Sequence, residues 1–253
     1  MTTMQRFRLI LSLCCALMTP ALVAQPEPRW FSIEVIVFEQ YMSPGYAEYW
    51  PDRPEIGFPE NLVRFPSESQ NNSLPEFFSE LPFDAQLQKA KKKIERARDQ
   101  RVLFSRRWEQ GLLDKENAPY IYIRGGDRAG PHRELEGSLQ ISVERYLHVK
   151  SKLWLTRFKS ADSVAADVFD TNTASMEVDS DIFLDDLEPF ALPEPPFQST
   201  TDLGPSIPIE HVFLFDQERR LRSKETHYLD HPLLGMLIRI EPLPDEARSP
   251  KID

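Results

Sequence analysis

Apolar and polar residues alternate along several stretches of this chain, and the shared period of two predicts strands. From Trp30 to Phe38 the residues Phe31, Ile33, Val35 and Val37 fall on one side and Ser32 and Glu34 on the other, a first half-buried strand. The clearest alternation sets Leu135, Gly137, Leu139, Ile141 and Val143 against Glu136, Ser138, Gln140, Ser142 and Glu144, an antiparallel strand with one wet face. Arg145-Tyr146-Leu147-His148-Val149 continues it and 152–158 resumes it, so one long bent strand and a tight hairpin near Lys150-Ser151 fit equally. Further strands are predicted at 101–108, at 120–123 before the turn-forming Gly125-Gly126-Asp127, at 209–215 and at 236–240. A different period marks Phe83, Leu87, Ala90, Ile94 and Ala97. Spaced by four and three, they form one face of an amphipathic helix over 83–99, with Lys91, Lys92, Lys93 and Arg96 mostly outward. The inventory is that of an α+β fold, an antiparallel β-sheet with one main amphipathic helix packed on a face.

Two long loops interrupt this pattern. Between 40 and 82 the prolines Pro44, Pro51, Pro54, Pro59, Pro66, Pro75 and Pro82 push their preceding residues away from helix, which predicts an irregular connection pinned to the body by Trp50, Phe58 and Phe65. The second loop is an acidic insert over 160–208. From Ser160 to Glu218 there are fourteen acidic residues and no Lys or Arg. Because the whole chain has 40 acidic residues against 30 cations, this one segment accounts for more than the net charge of −10 and leaves the rest basic. The insert reads as a solvated loop or as a partner-binding or self-shielding segment.

The first 24 residues carry the marks of a secretory signal: Arg6 and Arg8, an apolar run from Leu9 to Val23, and the small residue Ala24. That run is shorter than the roughly twenty residues a bilayer needs, and no later segment approaches that length. The expectation is a signal peptide over 1–24 and one mature α+β domain over 25–253. Lipid attachment is the competing reading, but Leu13 and Cys14, which precede Cys14 and Cys15, are not the small residue such a site favours. Both cysteines fall inside the signal, so disulfides, thiolate metal sites and cysteine catalysis are not available to the mature chain.

Candidate chemistry concentrates in Arg219-Arg220-Leu221-Arg222-Ser223-Lys224-Glu225-Thr226-His227-Tyr228-Leu229-Asp230-His231-Pro232. Four cations within six residues repel one another unless solvent or an anionic partner surrounds them. On a helix the spacing of His227 and His231 would place both imidazoles on one face, as in metal sites, although Pro232 argues against a helix there. The other readings are that these histidines, with Tyr228 and Asp230, fix a turn or contact a ligand. Arg145, Tyr146 and His148 form a second candidate patch; Trp108, Tyr146 and His148 could add flat surfaces for sugar rings, and each reads equally as core or strand packing. No G-x-S-x-G marks a nucleophile and no glycine loop cradles phosphate. Glu134, Glu136 and Glu144 could pair for glycan cleavage, but they sit on what reads as an exposed strand face, where carboxylates are solvated. An exported, acidic chain is a poor fit to nucleic acid. In a cell envelope the anions on offer are stem-peptide carboxylates of the wall, lipid phosphates and acidic proteins, all suited to the planar fork of arginine.

Four blocks carry a family resemblance. They are Trp30-Phe31-Ser32-Ile33-Glu34-Val35-Ile36-Val37-Phe38, the segment 103–110 with Trp108, Leu135-Glu136-Gly137 running into Arg145-Tyr146-Leu147-His148, and Arg219-Arg220-Leu221-Arg222 running into His227-Tyr228-Leu229-Asp230-His231-Pro232. In this order, over about half of the mature chain, they resemble the CsiV-type peptidoglycan-binding proteins of proteobacterial envelopes. The resemblance implies a periplasmic protein that binds peptidoglycan without cutting it. It further implies support of a class A penicillin-binding protein together with that synthase's outer-membrane lipoprotein activator, with no cofactor. A wall hydrolase and a protein-interaction adaptor that does not touch the wall are the alternatives. The candidate binding residues are Arg219, Arg220, Arg222, His227, Tyr228, Asp230 and His231, with Arg145, Tyr146, His148 and Trp108 beside them.

Overall fold

The computed structural model describes residues 28–41, 54–65, 78–82, 86–159, 190–197 and 208–244. The expected signal segment lies outside these residues, as do most of the 40–82 loop, Trp50 included, and most of the acidic insert. The described chain is α+β and mainly β, with one helix against an antiparallel sheet. The strands are β1 (Arg29–Gln40), β2 (Leu62–Val63), β3 (Phe78–Leu81), β4 (Gln100–Leu112), β5 (Tyr120–Ala129), β6 (His132–Val143), β7 (Leu147–Phe158), β8 (Ile209–Leu221), β9 (Thr226–Asp230) and β10 (Leu234–Pro242); the helix α1 is Gln88–Arg96.

They form two five-stranded sheets, ordered β3-β4-β1-β10-β9 and β2-β5-β6-β7-β8. All pairs are antiparallel except β2 with β5. One core fills the space between the sheets. Phe31, Ile33, Val35 and Val37 of β1 and Trp108 of β4 meet Leu135, Leu139 and Ile141 of β6 and Leu153 and Leu155 of β7. Each such aliphatic side chain contributes roughly 1.5–3 kcal/mol on leaving water.

The opposite face of the first sheet carries α1. Ile36 and Phe38 of β1 pack on Leu87 and Ile94, so β1 is buried on both sides and its apolar run is continuous from Val35 to Phe38. The Glu34 carboxylate accepts hydrogen bonds from the backbone N–H groups of Gln86 (3.3 Å) and Leu87 (3.0 Å). It thus meets orphan donors at the helix N-terminus and complements the helix dipole there. Ala97 turns extended, at φ −71° and ψ 138°, and ends the helix short of the predicted Asp99; residues 83–85 lie outside the described set.

Several boundaries differ from the sequence expectation for visible reasons. The 120–123 strand does not stop at Gly125-Gly126-Asp127: those residues form a bulge, and β5 runs on to Ala129. Gly126 takes φ +71°, and a Cβ on Gly125 would sit 2.0 Å from the Leu103 carbonyl oxygen, so both positions need glycine. Neither a bent strand through Arg145 nor a hairpin at Lys150-Ser151 forms. The turn lies earlier, at Glu144–Tyr146, where Val143 pairs with Leu147 and the Glu144 N–H donates to the Tyr146 carbonyl at 3.1 Å. The expected wet face of β6 is also corrected. Glu136, Ser138, Gln140 and Ser142 are all buried, and the outer face nearby carries Phe58 packed on Tyr122 and Trp154, with Phe197 beyond. Glu136, at 1 % exposure, accepts from the Tyr122 hydroxyl (3.2 Å) and the Arg133 N–H (3.3 Å) and meets the His132 Nδ1 at 3.0 Å. Glu134 too is engaged, with Arg101, and only Glu144 is exposed. Phe65, from the Pro-rich segment, is wholly buried against Phe78, Phe104 and Trp108.

Candidate functional site

At one end of the sandwich the sheets part around an open cleft of about 560 Å³. Its walls are the start of β1 (Arg29, Trp30, Phe31) and the residues at the end of β10 (Pro242, Leu243) from the first sheet. The β6–β7 turn (Arg145, Tyr146) supplies the wall from the second, and Arg222, Ser223 and Glu225 of the β8–β9 connection complete the rim. That connection crosses from one sheet to the other. Lys224 adopts φ +66° within it and donates its N–H to the Ile240 carbonyl at 2.8 Å. Arg222 is held by its backbone, whose N–H and carbonyl lie 3.1 and 3.0 Å from the His227 Nε2, while its side chain is 81 % exposed. On the first sheet, Arg29 donates to the Glu144 carbonyl oxygen at 3.1 Å, tying β1 to the β6–β7 turn.

Tyr146 is exposed, and two guanidinium groups approach its ring: Arg145 at 5.4 Å and Arg220 at 4.5 Å from the centroid. His148 sits across the β7–β8 ladder from Arg220. Among the described residues no carboxylate lies within ion-pair distance of Arg29, Arg145, Arg219 or Arg220. Among the described residues the only acid paired with a cleft arginine is Glu225, 3.8 Å from Arg222 in an exposed and therefore weak contact. Elsewhere in the described chain arginines do find acids: Arg101, Arg106, Arg107, Arg157 and Arg239 each pair with a glutamate. An exposed aromatic ring between unpaired guanidinium groups, at the mouth of a cleft, is a surface for an anionic ligand with a flat or apolar part.

The sequence-predicted residues fall into four places. Arg145, Tyr146, His148 and Arg220 come together, and Arg222 joins them across the cleft. Arg219 does not. In the β7–β8 ladder it pairs with Val149 on the pleat side of Phe215 and Leu221, whereas Arg220 points to the other face. His227, Tyr228, Asp230 and His231 lie along β9 and its exit, where four residues of strand rise separate the histidines by about 13 Å. The helical face that a metal reading needs is therefore absent, and no cluster of three metal-capable side chains occurs among the described residues. Tyr228 stacks on Phe38 (6.3 Å, 13°) on the α1 side of the first sheet and donates to Asp230 at 2.5 Å. Burial, with that bond to Asp230, pushes its phenol up to about 12. The His231 Nδ1 accepts the Leu233 N–H at 3.2 Å, and burial lowers the imidazole pKa. For Trp108 the packing reading holds and the candidate binding role falls: at 0 % exposure, its indole N–H donated to Gln110 at 3.0 Å, it is core and presents no face to a ligand. Arg29 and Trp30 were not among the candidates. Their signal is a cation beside an aromatic at a strand end, the same pairing as Arg145-Tyr146.

Fold and cleft thus define a two-sheet module with a basic, aromatic cleft at one end. The chain belongs to the CsiV family of peptidoglycan-binding proteins, whose model matches residues 6–243, nearly the whole sequence. No curated protein and no solved structure matches the chain.

Proposed function

We propose that this protein is a noncatalytic periplasmic adaptor that holds peptidoglycan at the cleft between Arg29, Arg145, Tyr146 and Arg222, with Arg220 beside it. In that role it supports a class A penicillin-binding protein together with the synthase's outer-membrane lipoprotein activator. The observation that carries the reading is the gathering of arginines without acidic partners around Tyr146 in a protein of net charge −10. Solvated single cations are ordinary on a surface, but Arg145 and Arg220 converge on one exposed ring beside a cleft that Arg29 and Arg222 also line. The reading as a binder rather than a hydrolase is supported by the fate of the acids. Glu136 is caged by Tyr122, His132 and Arg133, and Glu134 is held by Arg101 and the Asp127 N–H, which leaves the exposed Glu144 of the β6–β7 turn without either as a catalytic partner.

The test is co-sedimentation of the exported chain, residues 25 to 253, with purified sacculi, comparing the native protein with Arg145→Ala/Arg220→Ala. The native protein is expected in the pellet and the double variant, with unchanged circular dichroism, in the supernatant. Equal pelleting would move the site away from Tyr146. A clearing band on a sacculus zymogram would overturn the noncatalytic reading. The adaptor role is checked by adding the protein to the synthase and its activator and measuring glycan polymerisation, which should rise.

A further inference from the structure

We infer that the cleft recognises the free carboxylates of the peptide stems rather than the glycan strand. This deepens the proposed wall-binding function and rests on it. The N-acetylated sugars of a glycan strand are neutral where their lactyl groups are joined to peptide, so the negative charge of the polymer resides in its stems. The cleft is matched to that charge. Three guanidinium groups, Arg29, Arg145 and Arg222, line it against one acid among the described residues, Glu225, and Arg220 adds a fourth from the adjoining face. Two of these cations, Arg145 and Arg220, lie 5.4 and 4.5 Å from the Tyr146 ring centroid, and among the described residues no carboxylate is within ion-pair distance of either. That arrangement is unfavourable by itself and becomes favourable when an anion bridges it. A guanidinium fork binds a carboxylate through two parallel hydrogen bonds, which gives orientation as well as energy.

The spacing of the parts fits a peptide better than a sugar chain. Guanidinium groups stand over the Tyr146 ring, so a sugar would have to compete with Arg145 and Arg220 for the flat surface. Carbohydrate stacking wants a bare ring, and of the other cleft aromatics Trp30 is half-buried and Phe31 buried. The apolar floor from Phe31, Val143, Leu147 and Leu221 offers room for the short side chains of a stem peptide beneath its charged groups.

The experiment is displacement of the native exported chain from sacculi by three soluble probes at equal concentration. They are a stem tetrapeptide with free carboxylates, the same peptide as its carboxamide, and a tetramer of N-acetylglucosamine. The inference expects the free acid to displace the protein and the carboxamide to be at least about tenfold weaker, the loss of one charged hydrogen-bonded pair. The sugar tetramer should have no effect. Arg145→Gln and Arg29→Gln, both at exposed positions, should narrow the gap between acid and carboxamide. Displacement by the sugar, or equal displacement by acid and carboxamide, would overturn the carboxylate assignment while leaving wall binding intact. Failure of the native protein to pellet with sacculi at all would overturn both.

Discussion

Tyr146 is the residue on which the cleft turns, because its ring is what Arg145 and Arg220 share. If the ring acts through its face, the hydroxyl is dispensable. Tyr146→Phe should then retain sacculus binding within about twofold, while Tyr146→Ala should lose roughly three- to tenfold, the range expected from one or two exposed cation–π contacts. A pelleting titration reads both, and a Phe variant as weak as Ala would assign the work to the hydroxyl instead. At the same scale, His231 supplies a stability signal distinct from binding. Burial lowers its pKa below the ordinary 6.5, so the folded protein takes up this proton less readily than the unfolded chain. The stability it contributes is complete above about pH 6.5 and is lost as pH falls towards the lowered value. The urea midpoint of the native protein should therefore drop more between pH 7.5 and 5.0 than that of His231→Asn, whose amide oxygen can still accept the Leu233 N–H. Equal drops would show that other groups carry the acid sensitivity.

At the scale of elements, the end of the sandwich built from the end of β1, the start of β4 and the end of β7 is closed by charge. Glu39, wholly buried at the end of β1, accepts from the Arg101 guanidinium of β4 at 2.9 and 3.2 Å and pairs through its other oxygen with Arg157 of β7. Arg101 continues to Glu134 of β6 (2.7 Å) and Asp127 of β5 (3.1 Å), so the network bridges both sheets. Removing one member leaves buried charge uncompensated. Glu39→Gln should cost about 3–5 kcal/mol in equilibrium unfolding without weakening sacculus binding per folded molecule. A loss below about 1 kcal/mol would mean that water or neighbouring chain replaces the pairing. None of this network was legible in the sequence, because its five members are scattered from position 39 to 157 and single charges on strands look alike whether paired or solvated.

Element existence, by contrast, was legible wherever one face differs from the other: β1, β4, β6, β10 and the helix follow from periodicity. What misled was the assumption that a polar strand face is a wet one. Glu136, Ser138, Gln140 and Ser142 lie on the outer face of the second sheet and are buried there, which no local pattern announces. The candidate site was half legible for a related reason. Composition located the cations of 219–222, but the pleat of β8 sends Arg219 and Arg220 to opposite faces. It took the β7–β8 register to join Arg220 to Tyr146 and the sheet-crossing turn to bring Arg222 to Arg29.

For the whole molecule the question is which charge governs binding, the total or the local. A net charge of −10 would repel an anionic wall, while a cleft lined by Arg29, Arg145 and Arg222 would attract it. The two act over different ranges. At about 0.1 M salt the Debye length is near 10 Å, so repulsion from acids spread along the chain is already screened, whereas contacts made inside the cleft are shorter than that length and weaken only gradually as salt rises. If the total charge ruled, raising salt from low to moderate would strengthen binding by removing repulsion. If carboxylates seated against Arg29, Arg145 and Arg222 carry the affinity, added salt competes with those contacts and binding falls throughout. The pelleted fraction should therefore decline steadily between about 0.05 and 0.5 M sodium chloride, and the decline should flatten in Arg145→Ala/Arg220→Ala. A pelleted fraction that rises or stays level in the native protein would instead place the affinity in apolar and sugar contacts. The arginine cluster would then be left to a protein partner.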